Sequence, residues 1–413
     1  SIGNTSEISH HITEFPFFSF LFADLHPHLM NIPFAMLVLG LGVNLLSGFK
    51  RSGLAWRIAA SGLLALGLGS LWVINSWDYP TYVLLVVAFL ALTAYGMSVT
   101  PYKQLMLFAG LVLSIVGTSW VLFFPFHGAY ETFNTGIEIS KWKTPLNSYL
   151  VIYGLFLFIA VSFLILKVYA QVYGILRKVY HKKSLLLQEL ICLMLLLVGL
   201  GIVFYLTVAG YWTAAFLIIL FTLTGVSVVI ELTDRPFKNK IQIIPLVLFG
   251  MGLAISIGVD FVHLSGDIGR MNTVFKLYLQ VWLLFGLSTS YMVFFVVHRL
   301  WHSWGRGRSY KNVRVIWLST AMLLLSSSLI YPVLGTIDRI NDRFGESNDF
   351  LDGAGYMVKA EHHEKGAKLD LIWDLEAINW LQDNATGSPV IVEAQDAQYR
   401  WNGRVSAYTG LPT

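Results

Sequence analysis

Ten stretches of this chain are each about 20 residues long and contain no Asp, Glu, Lys or Arg. A helix rises about 1.5 Å per residue, so each stretch can cross the hydrocarbon core of a bilayer, about 30 Å thick. The stretches are 29–49, 58–77, 79–99, 104–126, 145–166, 190–208, 209–230, 241–259, 277–297 and 315–337. The sixth and seventh form one uncharged run that is too long for a single span, so we divide it near Thr207–Trp212.

The amino-acid composition also indicates a membrane protein. Of the 413 residues, 56% are hydrophobic and only 13% are charged, about half the usual charged share of a soluble domain. This excludes a water-soluble enzyme, a coiled coil and a disordered regulator, and the net charge of +4 is too small and dispersed for a nucleic-acid partner. A single cysteine, Cys192, excludes an internal disulfide and a cysteine-based metal cluster. We predict an all-α polytopic membrane protein with about ten transmembrane helices.

The charged residues separate by side once ten spans are assumed. One set of loops holds 17 of the 28 Lys and Arg residues, whereas the other side holds 21 of the 24 acids. Basic loops remain in the cytoplasm, so both ends of the chain are expected outside, in a multi-pass plasma-membrane protein.

Three regions follow from this arrangement: an outer interfacial head at 1–28, a transmembrane domain at 29–337 and an extracytoplasmic tail at 338–413. The tail shows helical spacing over 369–382 and a short apolar run at 390–393, which predicts a buried strand. We therefore expect a partial α/β outer C-terminal segment. Because the chain starts without Met and the tail lacks a closing element, we expect truncation at both ends.

The most unusual motif precedes the first span. It reads Glu14-Phe-Pro-Phe-Phe-Ser-Phe-Leu-Phe-Ala-Asp24-Leu-His26-Pro-His28. Asp24, with His26 and His28, forms a candidate site for a divalent cation such as Mg or Mn, because carboxylate and imidazole are suitable ligands. Asp24 is alternatively a candidate general base, with Glu14 as a second catalytic acid. The structural alternative is that Asp24 and Pro27 cap the first helix while the histidines lie among lipid headgroups.

Two further outer loops carry candidate residues. The turn Asn75-Ser-Trp77-Asp78-Tyr-Pro makes Asp78 a catalytic candidate and Trp77 a substrate contact, although Asp before an aromatic-Pro pair also suits a structural turn. The segment 260–276 supplies the substrate-binding candidates Arg270, Asn272 and Lys276, with His28 joining them from the head. The two cations suit a phosphate, or they pair with Asp260 or Asp267. We expect Asp24, Asp78 and Arg270 to line one outward cavity.

These motifs, together with Thr409-Gly-Leu-Pro near the end, closely resemble an uncharacterised prokaryotic family of polytopic membrane proteins named for a Tyr-Tyr-Tyr motif. That family is grouped with the glycosyltransferase C superfamily, whose members use lipid-phosphate-linked sugars at the outer face. The resemblance implies an active site where the outer loops meet the membrane. The Tyr-Tyr-Tyr segment and the acidic outer loop before it are absent here, so Asp24 is alternatively a secondary ligand rather than the base.

Three functions remain open from the sequence. A glycosyltransferase would use a polyprenyl-phosphate sugar, with a carboxylate deprotonating the acceptor and a divalent ion or Arg270 and Lys276 stabilising the leaving phosphate. A lipid or small-molecule transporter or flippase is the second. The third is a non-catalytic membrane assembly factor. The lipid bilayer is a partner in all three, and nucleic acid in none.

Overall fold

The computed structural model describes residues 15–23, 26–131, 136–181, 184–233, 240–267, 269–303, 308–343, 352–364, 366–396 and 400–413. The chain divides into two compact units, residues 1–332 and 333–413. The first unit is a bundle of long apolar helices, and the second is a small mixed unit.

Helices build nearly all of the first unit. In chain order they are α1 (Pro16–Phe22), α2 (Pro27–Met30), α3 (Ile32–Gly48), α4 (Leu54–Ile74), α5 (Tyr79–Tyr95), α6 (Pro101–Leu122), α7 (Phe124–Ala129), α8 (Leu146–Tyr180), α9 (Leu187–Val208), α10 (Trp212–Thr233), α11 (Ile244–Val259), α12 (Met271–His298) and α13 (Arg308–Ser328), with α14 (Ile330–Arg343) running into the second unit. A 3-10 turn, Lys240–Ile243, precedes α11.

Eight helical segments in the described part of the chain are long and apolar enough to cross a membrane, and α5 and α11 are shorter apolar helices. Together they match the ten predicted stretches, which confirms the all-α polytopic class. The division between the sixth and seventh stretches is also confirmed. There α9 ends at Val208, and Gly210 adopts a left-handed φ of +76° before α10 begins at Trp212.

The two shorter helices lie inside the bundle. More than half of the residues of α5 and of α11 are buried. Small residues permit this close packing: a Cβ added to Gly252 on α11 would lie 2.7 Å from the buried ring of Phe285 on α12. These two helices are therefore enclosed mainly by protein.

Loops that follow α4, α7, α9 and α11 meet at one end of the bundle, which we call the cavity end. Strand β1 (Ile137–Ile139) pairs antiparallel with β2 (Val262–Leu264), so that Glu138 is opposite His263. The Lys143 ammonium donates to the Ala209 carbonyl at 2.7 Å. At the opposite end, ion pairs Lys167–Glu231 and Lys178–Glu189 join neighbouring helices.

In its described residues, the second unit contains a hairpin and two helices after α14. Strands β3 (Glu361–Glu364) and β4 (Ala367–Asp370) pair antiparallel, and α15 (Ile372–Asn384) and α16 (Arg404–Thr409) follow. Its small core holds Met357, Leu371 and Ile378. The helix predicted over 369–382 is confirmed as α15, with a start three residues later.

The buried strand predicted at 390–393 is wrong. These residues form no strand, and Val390 and Val392 are 74% and 97% exposed. Instead, the Glu393 carboxylate accepts hydrogen bonds from the Val405 and Ser406 amides at 2.7 and 3.1 Å. Through Glu393, residues 390–393 therefore stabilise the start of α16, and they do not pair as a strand.

Packing at Gly252 gives a stability prediction. We expect Gly252→Ala to lower the free energy of unfolding by about 1–3 kcal/mol, because the new methyl overlaps the Phe285 ring. Gly258→Ala on the same helix is the control, since a Cβ there meets nothing within 4 Å. Thermal unfolding in detergent measures both variants, and equal midpoints would contradict the packing described for α11.

Candidate binding cavity

A cavity of about 790 Å³ opens among the helices at the cavity end. One part of its wall is apolar and comes from α5, α11 and α12, namely Leu84, Met251, Ile255, Val259 and Leu277. A second part is polar, namely Asn75, Ser76, Thr81, His263, Thr273 and Lys276. Such a wall suits a ligand that has both an apolar and a polar portion.

Lys276 is the cation of this wall. Its ammonium lies 4.6 Å from the centre of the Trp77 ring, a cation–π distance, and 5.8 Å from the Phe275 ring. Among the described residues, Lys276 has neither an ion pair nor a hydrogen-bond acceptor, and the charges of Asp78 and Asp267 act on it from a distance. The structure thus brings together two predicted substrate contacts, Trp77 and Lys276, that are far apart in sequence.

Asp267 holds the start of α12. Its carboxylate accepts hydrogen bonds from the amides of Asn272 and Thr273 at 3.0 and 2.9 Å, and from both side chains at 2.9 and 2.8 Å. A carboxylate at a helix N-terminus is favourable because of the unpaired amides and the helix dipole. The side chain of Asn272, a predicted substrate contact, is thereby committed to Asp267.

Arg270 forms a buried ion pair with Asp260. This pairing was the structural alternative to phosphate binding. Arg270 Nη1 lies 3.0 Å from Asp260 Oδ1 and also donates to the Val259 carbonyl, and both side chains are 1% exposed. Thr144 donates to the same carboxylate and accepts a bond from Arg270 at 3.2 Å. This network fastens the loop before α8 to α11 and α12.

Asp78 is buried under the cavity wall, with 5% exposure. Its Oδ2 accepts a 2.7 Å hydrogen bond from Asn31 Nδ2, and its Oδ1 accepts a 2.6 Å bond from Gln280 Nε2. Burial raises the pKa of this carboxyl from 3.8 to about 6, although both hydrogen bonds favour the ionised form.

We expected Asp78 and Arg270 to line the cavity. Neither belongs to the described residues that line it, because each is buried in its own hydrogen-bond network. Trp77, next to Asp78 in the chain, and Thr273, three residues after Arg270, do line it. The two side chains therefore lie beneath the wall instead of facing a ligand or lipid.

Two of the candidate site residues in the head, His26 and His28, lie among the described residues. The His28 side chain is buried, with its ring 5.1 Å from that of His26 and 5.4 Å from that of Phe275 on α12. Glu14 and Asp24 lie outside the described residues, so their catalytic roles stay predictions. Within the part of the chain that the structure describes, no three His, Cys, Asp or Glu residues cluster as metal ligands. The cation on Asp24, His26 and His28 also stays a prediction.

Several residues of the site were not selected from the sequence. His263, on β2, lines the cavity, with its Nε2 3.8 Å from Glu138 Oε2. Trp72 and Tyr130 add aromatic surface to the wall. Gln280 donates a hydrogen bond to Asp78. The sequence indicated it only as an amide side chain within the predicted span 277–297. Trp72 and Tyr130 had no signal beyond their position near the ends of apolar stretches.

Comparison with known proteins identifies the family. The family model "Uncharacterized membrane protein (DUF2298)" matches residues 3–285. This is more than half of the chain and includes all the residues that line the cavity, and the chain therefore belongs to this family. No curated protein and no solved structure matches the chain.

The raised pKa of Asp78 predicts a pH dependence of stability. A carboxyl that binds its proton more tightly when folded makes the folded state more stable as the pH falls from about 6 to 3.8. The gain is about 3 kcal/mol when complete. Asp78→Asn should lose this dependence, whereas Glu131→Gln, at an exposed acid, should retain it. Unfolding midpoints between pH 7.5 and 4.5, in choline buffer free of sodium and potassium, test this, and parallel curves for all three proteins would contradict it.

The ion pair beneath the wall gives a second prediction. Arg270→Met leaves the Asp260 carboxylate buried without its cation, so we expect a loss of about 3–5 kcal/mol in unfolding free energy. The double variant Arg270→Met/Asp260→Leu should recover most of that loss. Chemical denaturation of the purified protein measures the effect; a single variant as stable as the parent chain would show that the ion pair does not support the fold.

Proposed function

We propose that this member of the DUF2298 membrane protein family is a glycosyltransferase that takes its sugar from a polyprenyl-phosphate carrier at the extracytoplasmic face. The observation that carries the proposal is the cavity itself. It combines an apolar wall, aromatic rings and one lysine without an acceptor among the described residues.

Each part of such a donor has a matching part of the wall. The Lys276 ammonium offers charge-assisted hydrogen bonds to the phosphate, worth about 1.5–3 kcal/mol. Trp77 and Tyr130 offer flat faces for the sugar, and Met251 and Ile255 offer apolar surface to the first isoprenoid units. A ligand with this composition also explains why the site lies in a membrane protein.

The transfer reaction follows from these positions. The acceptor hydroxyl attacks the anomeric carbon, a new C–O bond forms, and the bond from that carbon to the phosphate oxygen breaks. The electron pair leaves with the phosphate, where Lys276 stabilises the developing charge. The acceptor proton passes to a carboxylate, for which Asp24 and Glu14 are our candidates. Asp78 is buried and serves here as a positioning residue for the turn that carries Trp77.

A divalent cation held by Asp24, His26 and His28 would add Lewis-acid stabilisation of the leaving phosphate. Of these three, the structure describes the two histidines, whose rings are 5.1 Å apart. This distance supports a shared role for the two imidazole rings. We assign the stabilisation of phosphate first to Lys276.

Charge supports the assignment of the cavity end to the extracytoplasmic side. Its loops carry Asp78, Glu138, Asp260 and Asp267, whereas Lys and Arg predominate in the loops at the opposite end of the bundle. Under the positive-inside rule, this distribution supports a position of the cavity on the extracytoplasmic side of the plasma membrane.

Donor binding tests the proposal. We expect Lys276→Met to weaken binding of a radiolabelled polyprenyl-phosphate hexose by about tenfold to a hundredfold, because one charge-assisted contact is lost. Lys143→Met is a matched control: its ammonium also lies over an aromatic ring, 4.0 Å from that of Tyr211, but Lys143 is not part of the cavity wall. Its donor affinity should not change.

The same preparation distinguishes the three functions. Release of the hexose to an acceptor or to water, slower in Lys276→Met, is expected for the transferase. Movement of intact donor across proteoliposomes without release would instead indicate a flippase. Absence of both, with no donor binding by the parent chain, would leave the assembly role and overturn the proposal.

A further inference from the structure

Among the described residues, four polar side chains from the starts of α3 and α5 and from α12 meet beneath the cavity wall, where Asn75 and His28 also act on Asp78. Asn31 directly precedes α3, Asp78 directly precedes α5, Tyr82 lies in the first turn of α5, and Gln280 lies on α12. They are 0%, 5%, 0% and 2% exposed, respectively. Burying this many polar groups is costly unless each has a partner, so the arrangement requires an explanation.

Both amide groups point their nitrogen atoms at the Asp78 carboxylate. Asn31 Nδ2 and Gln280 Nε2 lie 2.7 and 2.6 Å from its two oxygens. An ionised carboxylate can only accept hydrogen bonds, so this orientation of the amides is the one it requires. Each amide oxygen belongs to the same carboxamide group as the nitrogen that bonds to Asp78.

Three oxygens in this cluster lack a partner. Among the described residues, Asn31 Oδ1, Gln280 Oε1 and the Tyr82 hydroxyl are buried and accept no hydrogen bond. The Tyr82 amide donates to the Asp78 carbonyl at 3.2 Å, one helical turn away, which places both side chains on the same face of α5. The three unpartnered oxygens therefore belong to buried side chains that either hydrogen-bond to Asp78 or lie one helical turn from it.

Hard cations prefer oxygen ligands, and all four side chains offer oxygen atoms. The charge of the site then limits the charge of the cation. One carboxylate neutralises a monovalent ion, whereas a divalent ion would leave a net positive charge in a buried site. Lys276 does not take this place, because its ammonium lies over the Trp77 ring and makes no ion pair with Asp78.

We propose that Asn31, Asp78, Tyr82 and Gln280 bind one monovalent metal cation, Na⁺ being the ion used to test it. The cation would satisfy the three free oxygens and neutralise Asp78. It would also join α3, α5 and α12 directly beneath the wall that carries Trp77. The site is independent of the reaction proposed for the cavity.

Equilibrium binding of ²²Na⁺ to the purified full chain in sodium-free choline buffer tests this. We expect one saturable site, displaced by unlabelled NaCl or KCl but not by the same concentration of CaCl₂. Asp78→Asn should abolish binding. Tyr82→Phe removes a single ligand oxygen and should weaken binding roughly tenfold. Tyr153→Phe is the matched control, because its buried hydroxyl already donates to the Tyr278 carbonyl at 2.9 Å.

Folding is checked independently in the same buffer. Tyr82→Phe removes a hydroxyl that has no partner among the described residues, so without sodium it should unfold no earlier than the parent chain. Sodium should then raise the unfolding midpoint of the parent chain more than that of this variant. Absence of saturable ²²Na⁺ binding by the folded parent chain, displacement by CaCl₂, or equal affinity in Tyr82→Phe would each overturn the proposal.

Discussion

The hydrogen bonds of Gln280 hold the candidate site together. Its Nε2 lies 2.6 Å from the Asp78 carboxylate and 3.3 Å from the Trp77 carbonyl, so the turn after α4 is fixed against α12. Lys276 lies one helical turn before Gln280 on the same helix. The contact between the Trp77 ring and the Lys276 ammonium depends on this fixed position, and Lys276 is the one cationic residue among the described residues of the cavity wall.

A second buried network joins other loops at the cavity end. Asp260 and Arg270 close the connection between α11 and α12, and Thr144 joins them from the loop before α8. Thr213 on α10 in turn donates to the Thr144 carbonyl at 2.6 Å. Charged groups are costly to bury, and here every described charge in the network meets an opposite charge or a polar donor. Loop geometry at the cavity end is therefore set by side chains rather than by long strands.

Hydrophobic length predicted the helices, because the bilayer imposes a minimum apolar run that sequence displays directly. The division of α9 from α10 followed for the same reason. Partners across the bundle could not be predicted this way. The sequence allowed Arg270 either a phosphate or a carboxylate, and only the fold brings Asp260 to it. Trp77 and Lys276 were both selected from the sequence, but their contact needed the fold. The strand expected at 390–393 is wrong because a short apolar run does not reveal whether a neighbouring strand is available to pair with it.

The two sides of the cavity differ in mechanical stiffness. On one side, the turn at 75–78 is fixed by two short hydrogen bonds to a buried carboxylate. On the other, Ile137 and His263 belong to a ladder of three residue pairs, in which Ile137 and Ile139 are 73% and 82% exposed. A short two-stranded ladder with little burial resists deformation weakly. We therefore expect any change in the width of the cavity to involve the strands more than the contact between Trp77 and Lys276.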